Sequence, residues 1–313
     1  MARQLRIEYA GAFYHITSRG NERKDIFKSE QDFKKFLTYL ETATQRYGAV
    51  IHVYCLMSNH YHLLLETPMG NLSQIMRHIN GAYTTYFNTR RQRAGHLFQG
   101  RYKAILVDAD EYAGELSRYI HLNPVRAGIV SKPEQYLWSS YQYYVGKKIP
   151  KWLIADFILN YFGGKTTIAQ KRYSEFVNAL VDKEYDSPLK DTVASTILGG
   201  IDFINEIKDK YLSGKETDRN LPALTELTKA SIKEIIGEVE GIFKGDEALS
   251  KKASIYLCHK YSGRTLKEIG DHFNIGESSV SQTSRRFNIV LDKDKKLRRK
   301  MKYICSRLML CNV

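Results

Sequence analysis

The sequence contains no apolar run approaching the roughly 18 to 20 residues of a membrane-spanning helix, and this excludes an integral helical membrane protein. Its opening residues, MARQLRIEYAGAF, lack the apolar core of a secretory signal, so a cytoplasmic location is expected. Cysteine is scarce: Cys55, Cys258, Cys305 and Cys311 include no CxxC pair. Such scattered thiols support neither a zinc knuckle nor a disulfide framework, and they are expected to be reduced and mostly buried. No period of roughly 20 to 50 residues recurs, which excludes a solenoid. A phosphate loop is also missing. Gly163-Gly164-Lys165-Thr166 resembles the tail of one, but Leu159 stands where its first glycine belongs.

What is present is a chain of 313 residues, 43% hydrophobic and 26% charged, long enough to bury one or two cores without staples. Its net charge of +14 points to a polyanionic partner. The charge is unevenly spread. Residues 1–148 carry a net +8, residues 149–250 a net −4 and residues 251–313 a net +10. Two basic ends around an acidic middle suggest two polyanion-contacting units joined by a connector.

In the first part, residues 13–18, 50–56, 60–67 and 102–107 are short β-branched and aromatic runs that predict strands. Apolar residues at three- and four-residue spacing predict helices over 31–47, 72–91 and 111–122, the last stopped by Asn123-Pro124. Strands interleaved with helices make a sheet-and-helix layer. The middle reads as short helices near 152–161 and 170–181. From 224 onwards the pattern is helical: 224–243, 247–261, 266–273, 278–290 and 293–308.

His60 and His62 alternate within a predicted strand, so both imidazoles leave one face and can converge on a single ion. Tyr119 and Asn123 are four apart on a predicted helix and share a face. If that face looks at the histidines, Asn123 can offer a carbonyl oxygen as third ligand while Tyr119 addresses whatever the metal polarises. Arg19, Arg23, Lys24, Arg90, Arg91, Arg93, Arg101, Tyr102 and Lys103 supply cations and aromatic faces of the kind that grip single strands. His15 reads as a core or sheet histidine, and Glu66 shares the strand face of the two histidines.

His60-Tyr61-His62, the Tyr119 helix, Ser18-Arg19-Gly20-Asn21-Glu22-Arg23 and Phe98-Gln99-Gly100-Arg101-Tyr102 together resemble the single-tyrosine HUH transposases, nearest the REP-associated tyrosine transposases, over residues 1 to about 145. The resemblance implies an α+β fold with an HUH-type antiparallel sheet and helices. It implies that His60, His62 and Asn123 hold Mg2+ or Mn2+, that Tyr119 is the nucleophile, and that the product is a 5′-phosphotyrosine with a free 3′ hydroxyl. Ligand softness alone would also admit zinc. Arg19, Gly20, Asn21, Arg23, Arg101, Tyr102 and Lys103 would contact DNA.

Near the C-terminus, Leu266, Ile269 and Phe273 form one apolar helix face, Gly276 permits a tight turn and Ser278 can cap the next helix. That helix carries Ser278, Ser279, Ser281, Gln282, Arg285 and Arg286, suited to a major groove. Residues from about 220 to 310 resemble the DNA-binding domain of the initiator DnaA, although Gly276-Glu277-Ser278 replaces that family's basic, histidine-containing turn. The expected organisation is therefore a catalytic domain over 1–148, an acidic all-α connector over 149–215 and a helix-turn-helix domain over 216–313. The expected partners are single-stranded and hairpin DNA with adjacent duplex, and no membrane. Monomer and homodimer both stay open. A non-catalytic DNA-binding regulator and a plasmid-type relaxase are the rival readings.

Overall fold

The computed structural model describes residues 6–163, 165–212, 230–262 and 264–308. It divides into two compact units, 5–211 and 212 onwards.

The first unit is built on a sheet of β1 (Ala12–Arg19), β2 (Val50–Met57), β3 (His60–Thr67), β4 (Lys103–Val107) and β5 (Ile197–Leu198) in the order β2-β3-β1-β4-β5. The first four pair antiparallel, and β5 adds to β4 in parallel. The α+β architecture expected from the sequence is present, with a mixed rather than wholly antiparallel sheet.

One face of the sheet is backed by α1 (Glu30–Tyr47) and α2 (Leu72–Arg90). Phe36 of α1 packs on Tyr61 of β3 with ring centres 4.8 Å apart. The Tyr61 hydroxyl donates to Asn80 of α2 at 2.6 Å, which satisfies a phenol that would otherwise be stranded in the core. Asp32 is fully buried near the start of α1. Its carboxylate accepts the Lys28 and Ser29 N–H groups at 2.8 and 3.0 Å and is paired with Arg91 just past α2. Arg91, expected on a DNA-facing surface, is thus spent on tying two helix ends together.

The other face is covered by α3 (Ala109–Arg126) together with the short helices α4 (Tyr141–Tyr144) and α5 (Asp156–Leu159) and then α6 (Thr166–Asn178). The helix α7 (Ile201–Ile207) follows β5. Ala155, Ile158, Tyr173 and Val177 are buried in one core with Val53, Leu64, Ile105, Leu116 and Ile120. The stretch read from its charge as a connector therefore packs, as far as Tyr211, within the first unit: its acidic side chains face out while its apolar ones complete the sheet's second layer.

The expected stop at Asn123-Pro124 is overridden, since α3 runs through both residues to Arg126. Proline removes the N–H that would bond the Ile120 carbonyl. The Asn123 amide compensates by donating to the Tyr119 carbonyl at 2.8 Å and to that of Ile120 at 3.4 Å.

The second unit comprises α8 (Ile232–Ile242), α9 (Glu247–Leu257), α10 (Leu266–Phe273), α11 (Glu277–Lys293) and α12 (Lys295–Arg307) around a core of Ile235, Val239, Ile269, Val280, Phe287 and Met301. Residues 224–229 of the expected helix, the expected boundary at 216 and Cys311 lie outside the described residues. Cys55, Cys258 and Cys305 are buried.

Candidate functional site

The site lies where the far ends of β1 and β3 meet α3. In the antiparallel register Arg19 faces His60, Thr17 faces His62 and His15 faces Leu64, so His15, His60 and His62 emerge on the face that α3 covers. The expected same-face placement of the two strand histidines is found, and His15 joins them. Its Nε2 lies 3.0 Å from His62 Nδ1, and the two rings stack with centres 5.2 Å apart. His60 and His62 meet edge to face at 5.1 Å. From α3 the Tyr119 ring stands edge-on to both, 5.9 Å from His62 and 6.2 Å from His15.

The second nitrogen of each strand histidine is thereby spoken for. His60 Nδ1 is bonded to Asn59 Oδ1 at 2.6 Å, and His62 Nδ1 to His15. Both Nε2 atoms remain for a ligand. Burial, with help from the nearby Arg19 cation, pulls His60 down to about 4; burial and the neighbouring His15 and His60 pull His62 well below the ordinary histidine value. Burial, then Lys103, takes His15 to about 3. All three are neutral at pH 7, the form in which imidazole binds a metal. Two neutral imidazoles, each fixed through its far nitrogen, suit a divalent cation. Asn123 lies one turn beyond Tyr119, and its side-chain oxygen Oδ1 has no partner among the described residues. Among those residues no three His, Cys, Asp or Glu side chains group as a metal site, so any metal here would need an amide or water to complete its shell.

The two family-like loops come together beside His60. Gly20 N–H donates to the Asn59 carbonyl, Asn21 N–H to that of Leu97 and Gln99 N–H to that of Arg19. Gly20 is needed by this crossing, because a Cβ there would lie 2.0 Å from the Lys24 carbonyl oxygen. Glu22 and Arg23 both take positive φ, and Asn59 Nδ2 holds the Arg23 carbonyl at 3.1 Å. Asn59, to which the sequence reading gave no role, thus links this turn to His60. Arg19, Asn21, Arg23, Arg101 and Lys103 are exposed around the site. Tyr102 departs from expectation: its ring is buried under the Arg6 guanidinium at 4.0 Å and is not available to stack on a base.

Two other histidines have structural work. His121 is wholly buried, bonded to Tyr173 and Ser140 at 2.7 and 2.8 Å. His52 sits at a bulge in β2 and bonds Glu66 at 3.2 Å, which engages that carboxylate away from the histidine pair.

In the second unit, Thr265 and Glu268 form a capping box at the start of α10. A Cβ on Gly270 would meet the Ile275 carbonyl oxygen at 2.5 Å, so the turn packs directly on that glycine. The tight turn itself is made by Asn274, with φ 54°; Gly276 has an ordinary φ of −71° and occupies the N-cap of α11. Ser278 is consequently inside the first turn and not its cap. Ser278, Ser279, Ser281, Gln282, Arg285 and Arg286 are all exposed, opposite the buried Val280, Ser284 and Phe287.

The first unit is thus an α+β domain whose antiparallel strands carry a histidine pair beneath a helical tyrosine. Residues 9–123 match the family model described as "Transposase IS200 like", and this span contains all of His15, His60, His62, Tyr119 and Asn123. Residues 9–123 are thus similar to the IS200-like transposases. Among solved structures, it is similar to a REP-associated tyrosine transposase bound to a REP hairpin, at 17% identity and TM-score 0.41, covering 47% of this chain and 87% of that one. It is also similar to a protein from Deinococcus radiodurans R1 described as a transposase, at 17% identity and TM-score 0.28, covering 38% and 95%. No protein of curated function matches. No helix among the described residues is long and apolar enough to cross a membrane.

Proposed function

We propose that the protein is a divalent-metal-dependent, single-tyrosine transposase that cleaves and rejoins single-stranded DNA. The observation that carries this reading is the convergence of Tyr119 from α3 on His62 and His15, with His60 beside them. A phenol is a weak nucleophile, and a phosphodiester repels it; the chemistry needs positive charge on the phosphate and fixed alignment. His60, His62 and the Asn123 carbonyl would hold Mg2+ or Mn2+, which when bound supplies the charge that polarises the scissile phosphate. The protein supplies the rest. α3 holds the Tyr119 hydroxyl on one side of that phosphate, and Arg19, Asn21, Arg23, Arg101 and Lys103 grip the flanking strand. Attack by the Tyr119 oxygen on phosphorus expels the 3′ oxygen, which is protonated to a hydroxyl, and leaves the 5′ phosphate on the enzyme. The reverse attack by a 3′ hydroxyl rejoins the strand without ATP, because the ester is conserved. The hairpin held by the REP-associated relative makes hairpin DNA the preferred probe.

The second unit is proposed as a duplex-binding helix-turn-helix domain that presents the exposed side chains of α11 to a major groove. A hairpin oligonucleotide carrying a 3′-fragment label, incubated with Mn2+ or EDTA, tests the whole reading. A Mn2+-dependent covalent band that is lost in Tyr119→Phe is expected. Its absence, with tight DNA binding retained, would leave a DNA-binding regulator. Removing residues from 212 onwards should weaken binding to structured DNA and spare cleavage of a short single strand; unchanged affinity would remove the second unit from the account.

A further inference from the structure

Two turns beyond Tyr119, α3 ends at Arg126. Its guanidinium carbon stands 5.3 Å from the centre of the Tyr119 ring and 5.0 Å from that of Tyr185. Tyr185 comes from the stretch after α6, outside the span that matches the transposase model. The arrangement sets one planar cation against both the tyrosine at the site and a second aromatic ring. Arg118, on the same helix, is paired with Glu115 and stacked on Phe176, and so is committed to packing. Arg126 has no carboxylate within ion-pairing distance among the described residues, and it is exposed. Tyr185 also takes a hydrogen bond from Arg126, which anchors the guanidinium and leaves its remaining N–H groups to grip a phosphate.

The cavity beside Arg126, about 900 Å3, is also lined by Lys183 and by Asp182, Glu184 and Asp186. Its charge is mixed, so it is not a general strand channel. What sets Arg126 apart is its contact with the Tyr119 ring.

We infer that Arg126 is a catalytic residue that donates to the non-bridging oxygens of the scissile phosphate while Tyr119 attacks, with Tyr185 holding the guanidinium in place. This rests on the nucleophilic role proposed above for Tyr119. In that step the Tyr119 oxygen–phosphorus bond forms, the phosphorus–3′ oxygen bond breaks, the phenolic proton leaves to solvent and the 3′ oxygen gains one. Negative charge concentrates on the equatorial oxygens as this happens, and the guanidinium meets it there.

The test compares wild type, Arg126→Ala and Arg126→Lys on two oligonucleotides, one with an ordinary scissile phosphodiester and one with an uncharged methylphosphonate at that linkage. Adduct-formation rate and strand affinity are measured separately. On the diester, Arg126→Ala should slow adduct formation about 100-fold, with affinity within about threefold and Arg126→Lys recovering part of the rate. On the methylphosphonate, where the charge that Arg126 would neutralise is gone, wild type and Arg126→Ala should agree within about threefold. Equal loss on both substrates would mark a packing role and overturn the inference, as would no loss on the diester. If wild type itself forms no adduct, the nucleophilic reading of Tyr119 fails first and the role of Arg126 falls with it.

Discussion

Replacing Asn59 by alanine removes two bonds at once, the 2.6 Å contact from its Oδ1 to His60 Nδ1 and the 3.1 Å contact from its Nδ2 to the Arg23 carbonyl. The first of these sets the His60 tautomer: a proton held on Nδ1 leaves the Nε2 lone pair for a cation. Without the acceptor, the neutral ring is free to carry its proton on either nitrogen and to rotate, and part of its population no longer presents a lone pair to the site. Loss of such a partner behind a metal-binding histidine typically weakens affinity about 10- to 100-fold, or roughly 1.4 to 2.7 kcal/mol. Asn59 lies in the turn between β2 and β3 and contributes little to the core, so the fold should survive. Titration of the DNA-free protein with Mn2+, followed by calorimetry, should show that loss in Asn59→Ala, whereas Asn59→Asp, which keeps an acceptor, should bind at least as tightly as wild type. Affinity of Asn59→Ala within twofold of wild type would refute the argument that this side chain orients His60.

Two further outcomes follow from the buried polar groups. Burial alone would raise the Asp32 carboxyl, but Arg91 and the Lys28 and Ser29 N–H groups outweigh it and hold it below the usual carboxylate range. Asp32→Ala should therefore cost about 3 to 5 kcal/mol in urea unfolding, since it strands Arg91 and uncaps α1; a loss under about 1 kcal/mol would show the pair to be incidental. Burial takes His121 down to about 3 in the folded protein, against about 6.5 when unfolded. The unfolded chain binds the extra proton, so stability is complete above about pH 6.5 and declines as pH falls toward 3. Between pH 7.5 and 5.5 His121 should account for about 1.4 kcal/mol of that decline, and His121→Gln should lack it; identical pH dependence in the two proteins would contradict this.

The parts of the site that could be read from the sequence are those set by local periodicity. The alternation of His60 and His62 along β3 needs only the two-residue period of a strand, and the shared face of Tyr119 and Asn123 only the helical one. That Tyr119 faces the histidines rests on tertiary packing, and the sequence supported it only through its resemblance to a family. The parts not legible are long-range or compensated. Tyr102 was open to view as a stacking residue because nothing nearby announces Arg6, which covers it from 96 residues away. Arg91 gives no local sign of its pairing with Asp32. The run of α3 past Pro124 is helped by a side-chain amide that reaches the Ile120 carbonyl left unbonded by proline, a compensation that propensity does not contain. Charge alone suggested a free connector after residue 148, but the apolar residues of α5 and α6 had already assigned that stretch to the sheet's second layer.

The most direct measurement is to trap the covalent complex formed with a hairpin oligonucleotide and Mn2+, digest protein and DNA, and locate the remaining nucleotide by peptide mass spectrometry. The chain has 22 tyrosines, so the position is informative. The account predicts a 5′-linked nucleotide on the peptide containing Tyr119 and nowhere else. A nucleotide on Tyr112, Tyr185 or any other residue, or a complex joined through the 3′ end, would contradict it.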